Sequence, residues 1–144
     1  MAAKVLVIDD DSTVRDSIFA YLDDCDYDML SAASAADAWE LLSHQTVDAV
    51  ICDLKMPGMN GIELLERIKS KQPDLPVIVV SGAGVMDDVV RALRLGAEDY
   101  LVKPIMDLEV LQHSVRKALE RSQLEAENSA YRDHLEKNNR ELRL

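Results

Sequence analysis

The sequence predicts an α/β domain, a doubly wound five-stranded parallel sheet with helices on both faces and an extended C-terminal helix. Three observations predict it. Short apolar runs rich in Val and Ile alternate along the chain with segments of helical periodicity. Within the runs the apolar residues are continuous, as expected of strands covered on both faces. From residue 105 to residue 144 there is no Gly or Pro, so one helical pattern continues without a break.

Taken in order, residues 4–8 read as a buried strand, and Ser12 as the N-cap of a helix carrying Val14, Ile18, Tyr21 and Leu22 on one face. Residues 29–33 form a weaker strand and 36–42 a short helix. Residues 48–52 form a third strand, with an unbroken Ala-Val-Ile-Cys run after Asp48. The Pro and Gly residues between Lys55 and Gly61 mark an irregular loop before a helix with Ile62, Leu65 and Ile68. A fourth strand spans 76–80, a helix stopped by Gly96 spans 85–95, and a fifth strand spans 99–102. With right-handed crossovers, few topologies remain.

At 144 residues and 48% hydrophobic, the chain is expected to bury one core, with the C-terminal segment as an appendage. The boundary falls near residue 119, giving a globular domain over 1–119 and a helical linker over 120–144. At about 1.5 Å per residue the whole helix from 105 onward would reach about 60 Å. Leu108, Leu111, Val115 and Leu119 make a stripe that can pack on the sheet. Beyond Glu120 the spacing becomes that of a heptad seam through Leu124, Asn128, Tyr131, Leu135, Asn138 and Leu142. A parallel homodimeric coiled coil through 120–144 and a solvated linker helix both fit this pattern.

The formal net charge of −11 argues against direct binding of nucleic acid or an anionic membrane, since phosphate backbones are held by an excess of Lys and Arg. The four apolar residues after Lys4 are too few for a leader peptide, and no apolar run reaches membrane-spanning length. Cys25 and Cys52 lack metal-ligand spacing and read as buried or incidental thiols of a reducing cytoplasm.

Chemistry concentrates where strands end. Asp9 and Asp10, Asp53, Ser81, and Lys103 followed by Pro104 each close an apolar run. In an open parallel sheet, ligands sit outside the carboxyl ends of the strands, so these residues should converge. Three carboxylates together raise one another's pKa unless a cation intervenes. Mg²⁺ suits them, because it takes one or two carboxylates with water and phosphate oxygens completing its shell. With the cation present, the Asp53 carboxylate can attack phosphorus and form an acyl phosphate. Lys103 would pair with a phosphoryl oxygen, and Ser81 would donate a hydrogen bond to another.

The segments VLVIDD (5–10), VICDLKMPGMNG (50–61), VIVVSGA (77–83) and GAEDYLVKP (96–104) together resemble the response-regulator receiver domains of bacterial two-component signalling. The resemblance covers about residues 4–119. It implies a flavodoxin-like fold with strand order 2-1-3-4-5, an order that also describes a well-known member of this family. It implies that Asp53 accepts a phosphoryl group from a phosphohistidine on a sensor histidine kinase or phosphotransfer protein. Asp9, Asp10, Asp53 and the backbone carbonyl of Lys55 would hold Mg²⁺. Ser81 would move toward the phosphoryl group and Tyr100 would follow it inward, changing the surface of the fourth helix, fifth strand and fifth helix. Gly82 leaves room for the phosphoryl group, Lys55 and Ala83 occupy positions that tune acyl-phosphate hydrolysis, and a cis peptide is expected before Pro104.

Two other classes share parts of this pattern. Haloacid-dehalogenase-type phosphohydrolases also form an aspartyl phosphate but need an acid two residues after the nucleophile, where this chain has Lys55. Flavodoxin-type cofactor binders cradle phosphate after the first strand, where Asp9, Asp10 and Asp11 would repel it. Beyond the domain, the stretch 93–108 and the Glu-rich helix resemble regulators that join a receiver through a helical linker to a serine/threonine phosphatase-type domain. Those are relatives of the adaptor that delivers the stationary-phase sigma factor to a protease. Linkers feeding cyclic-dinucleotide enzymes are similar, and an output domain beyond residue 144 is expected.

Overall fold

A computed structural model describes residues 2–55, 61–82, 86–105 and 107–142, and gives the backbone alone for residues 86 and 126–142. The elements are β1 (Lys4–Ile8), α1 (Ser12–Asp24), β2 (Asp28–Ala32), α2 (Ala35–His44), β3 (Ala49–Asp53), α3 (Gly61–Lys71), β4 (Val77–Ser81), α4 (Met86–Arg94), β5 (Asp99–Val102) and α5 (Leu108–Leu142). All strand pairs are parallel, and their order is β2-β1-β3-β4-β5. The fold class and strand order expected from the sequence are those observed.

Strand alternation divides the buried apolar residues between the two faces of the sheet. Leu6, Ile8, Val50, Cys52, Val77 and Val79 pack beneath α2, α3 and α4. Val5, Val7, Ala49, Ile51, Ile78 and Val80 pack beneath α1 and α5, meeting Ile18, Leu22, Leu111 and Val115. Each Val or Leu so buried contributes about 2 kcal/mol, which ties the rigid strand ends to the helices behind them.

Several boundaries differ from the sequence expectation. The N-cap of α1 is Asp11, not Ser12, and its carboxylate accepts from the backbone N–H groups of Thr13 and Val14. A carboxylate in extended backbone satisfies two donors there, which leaves Ser12 inside the first turn. The strands expected over 48–52 and 76–80 each sit one residue later. The N–H of Leu54 donates to Val80 and that of Lys103 to Ser81, so the ladder carries Asp53 and Ser81 as terminal strand residues. Asp48 instead accepts from the Lys4 N–H at 2.8 Å. Helix α5 starts at Leu108, not 105, because the Asp107 carboxylate accepts from the Glu109 N–H at 2.9 Å and caps the first turn.

Beyond its core stripe, α5 is held to the edge strand by polar contacts. Ser114 Oγ donates to Asp99 Oδ2 at 2.7 Å, and Arg121 pairs with Glu98 at 2.9 Å. Three residues later Leu124 is 58% exposed, so the helix has left the sheet there. Its backbone continues as helix to Leu142. The seam side chains Asn128, Tyr131, Leu135, Asn138 and Leu142 lie outside the described residues.

Gly61 opens α3 directly against the end of β3. A Cβ there would lie 2.4 Å from the Asp53 carbonyl oxygen and 2.6 Å from Leu54 Cα. Both are backbone atoms, so the helix would have to move. Gly61→Ala is expected to lower the unfolding free energy by about 2 kcal/mol in urea denaturation. An unchanged midpoint would show that the helix start yields freely.

Candidate functional site

The register sets the site out as a staircase. Ile8 pairs with Cys52, which puts Asp9 level with Asp53. Asp53 pairs with Val80, so Ser81 lies one step beyond it, and Ser81 pairs with Val102, so Lys103 lies one step further. The residue with the longest side chain thus starts furthest out, at the edge strand, and reaches back over β4.

Its ammonium closes the group. Lys103 Nζ lies 2.8 Å from Asp9 Oδ2 and 3.1 Å from Asp53 Oδ2. Asp9, Asp10 and Asp53 each offer a carboxylate oxygen, and these oxygens all lie within 4.8 Å of one another. Asp9 and Asp53 are buried while Asp10 faces solvent, so the cluster opens on one side. The second oxygens of the buried pair are held by the backbone. Asp9 Oδ1 accepts from the Asp11 N–H at 2.9 Å, and Asp53 Oδ1 accepts from the Lys55 N–H at 3.2 Å.

Burial raises the Asp53 pKa above the ordinary carboxylate range, with the Asp9 charge adding to it and the hydrogen bond from Lys103 opposing. Burial also works against the Lys103 charge, but its hydrogen bonds to Asp9 and Asp53 outweigh this and raise its pKa. Lys103 therefore stays charged at neutral pH. Burial, reinforced by Asp53 and Asp9, pushes the Cys52 thiol up to about 12. It stays protonated, donating to the Asp53 carbonyl oxygen at 3.4 Å, which agrees with its reading as a buried thiol.

The donor set fits a hard divalent cation. It consists of carboxylate oxygens, two buried and one open to water, beside a lysine suited to a phosphate oxygen. Ser81 is buried at the end of β4. A Cβ at Gly82 would meet nothing within 4 Å, leaving open space beside the site. Tyr100 is 37% exposed on the edge strand β5. The Lys103–Pro104 peptide is cis. Ala83 lies outside the described residues, as do residues 56–60 of the loop after Lys55.

Arg15 carries no motif that marks it in the sequence, yet it touches the site. Its guanidinium donates to the Asp9 backbone carbonyl at 2.7 Å. The available signal was its place on the first helix, six residues after Asp9.

Among the described residues no helix is long and apolar enough to cross a membrane. The large hydrophobic side chains exposed among them are Val90, Leu93, Tyr100, Val102, Val110 and Leu124. All but Leu124 belong to α4, β5 or the first turn of α5.

The chain is 37% identical over 134 residues to the Regulator of RpoS of Escherichia coli (strain K12), covering 90% of this chain and 40% of that protein. It is 39% identical over 119 residues to the response regulator protein FleR of Pseudomonas aeruginosa, covering 83% of this chain and 25% of that protein. The chain thus spans less than half the length of these curated relatives. Among solved structures, a response regulator receiver domain protein from Clostridium thermocellum superposes with a TM-score of 0.81 at 34% identity, covering 85% of this chain and 98% of that one. NtrX from Brucella abortus superposes at 0.84 with 34% identity, covering 90% of this chain and 29% of that one. Residues 5–116 match the response regulator receiver domain family, and the chain belongs to it as a receiver domain of two-component signalling.

Proposed function

We propose that Asp53 is the phosphoacceptor of this receiver and that Asp9, Asp10, Asp53 and the Lys55 carbonyl hold Mg²⁺. The observation that carries the reading is Lys103 bridging Asp9 and Asp53 beside the open carboxylate of Asp10. When bound, the cation offsets the charge between the carboxylates and an incoming phosphoryl group. A carboxylate oxygen of Asp53 attacks phosphorus, the phosphorus–nitrogen bond of a phosphohistidine donor breaks, and its electron pair stays on the imidazole. The product is an acyl phosphate on Asp53. Lys103 then exchanges its carboxylate partner for a phosphoryl oxygen, and Ser81 donates to another.

The donor is a sensor histidine kinase or phosphotransfer protein of the cytoplasm. Phosphorylation shifts Ser81 and Tyr100 and so remodels the face of α4, β5 and α5. Concentration of the exposed apolar side chains on that face supports a protein partner there. Residues 1–119 are the receiver and 120–144 a linker to an output domain, in keeping with the greater length of the relatives. Similarity to the Regulator of RpoS is in keeping with kinship to the sigma-factor-delivery adaptor. The chain acts as a signalling switch that catalyses at most its own phosphorylation and dephosphorylation.

Intact-protein mass spectrometry after incubation with acetyl phosphate tests the site. One phosphoryl addition is expected with Mg²⁺ and none in chelator; equal addition in both would remove the metal from the reading. Pairing of two linkers in parallel through 120–144 predicts a dimeric mass by light scattering at high concentration. A strictly monomeric mass, with and without a phosphoryl mimic, would remove the coiled coil.

A further inference from the structure

Asp9 is held at every polar atom. Its N–H donates to the Ala32 carbonyl at 3.2 Å, Oδ1 accepts from the Asp11 N–H at 2.9 Å, and Oδ2 pairs with Lys103 at 2.8 Å. The remaining atom, the backbone carbonyl, accepts from Arg15 Nη1 at 2.7 Å. That carbonyl belongs to the peptide joining Asp9 to Asp10. A peptide unit is planar, so fixing its oxygen fixes the plane from which both carboxylates hang. The other end of the contact is equally firm, since the Arg15 N–H donates to the Asp11 carbonyl at 2.9 Å and α1 packs on the sheet through Ile18 and Leu22. Asp10 faces solvent, where a short side chain has the freest choice of rotamer.

We infer that Arg15 is a positioning residue for cation binding, holding the Asp9–Asp10 peptide so that both carboxylates face the same cation. It acts through the backbone and does not itself ligate. Groups that orient metal ligands from outside the coordination shell typically change affinity by about 10-fold or more when removed. The inference rests on the proposed reading of the site as a Mg²⁺ centre.

The test is a calorimetric titration with Mg²⁺ of the wild type, Arg15→Ala and Arg15→Lys, each first checked for native circular dichroism. Arg15→Ala is expected to raise the dissociation constant about 10-fold. Arg15→Lys, which keeps a charged donor, is expected to recover part of the loss. The rate of phosphorylation by acetyl phosphate, followed against Mg²⁺ concentration, supplies the second readout. Its half-saturation should rise by the same factor while its plateau stays within about twofold, a split that general destabilisation does not produce. Wild-type affinity in both variants would overturn the inference and leave the site reading intact. If Arg15→Ala fails to fold, wild-type affinity in Arg15→Gln, with its shorter neutral donor, would overturn it equally. No Mg²⁺ binding by the wild type would overturn the reading of the site and this inference with it.

Discussion

Asp53→Asn is expected to abolish phosphoryl addition from acetyl phosphate entirely, under conditions where the wild type gains one group. The change is nearly isosteric, and an amide keeps an oxygen to accept from the Lys55 N–H, as Asp53 Oδ1 does at 3.2 Å. Lys103 keeps its contact with Asp9. What disappears is the anionic nucleophile. Addition to the variant at the wild-type level would move the acceptor to another residue.

The same variant isolates a pH effect. Burial raises the folded-state pKa of Asp53 above its ordinary value of 3.8. An acid shifted in that direction binds its proton more tightly in the native state than in the unfolded chain. Stability from this group is therefore greatest at low pH and is lost as pH rises from about 3.8 through the raised value. In chelator, wild-type stability relative to Asp53→Asn should fall across that window and then level off. A difference that does not change with pH would mean that Asp53 titrates alike in both states.

Lys103→Met is the second large effect. It removes the cation between two buried carboxylates and leaves Asp9 and Asp53 facing each other. Breaking a fully buried pair costs about 3–5 kcal/mol. Here the lysine side chain is 23% exposed and Asp53, with its raised pKa, can take up a proton, so a loss of about 2 kcal/mol is expected in chelator. Millimolar Mg²⁺ should restore most of it, because a divalent ion supplies the missing positive charge at the same oxygens. Urea denaturation with and without Mg²⁺ makes the comparison. An equal loss in both conditions would show that Lys103 contributes packing and not charge.

Both expectations depend on residues that the amino-acid sequence alone makes legible, namely Asp9, Asp10, Asp53 and Lys103. Each ends an apolar run, and a parallel sheet carries its strand ends to one edge. Arg15 and the close approach at Gly61 are not legible in that way. The first acts on a backbone carbonyl, which has no sequence signature, and the second depends on how near α3 starts to the end of β3. Asp11 displaces Ser12 as the N-cap for a similar reason, since capping depends on which residue takes extended backbone at the helix start.

The sequence by itself determined the alternation of strands and helices, hence a parallel sheet covered on both faces, and the chemical character of its carboxyl edge. Hydrophobic pattern and residue type are local quantities, and both are written along the chain. Only the tertiary structure decided the pairing of Lys103 with Asp9 and Asp53, residues at the ends of three strands brought together across β4. It alone also raised the pKa of Asp53 and let α5 leave the sheet beyond Arg121. Those depend on register, burial and the distances between segments far apart in sequence, which no single stretch of residues encodes.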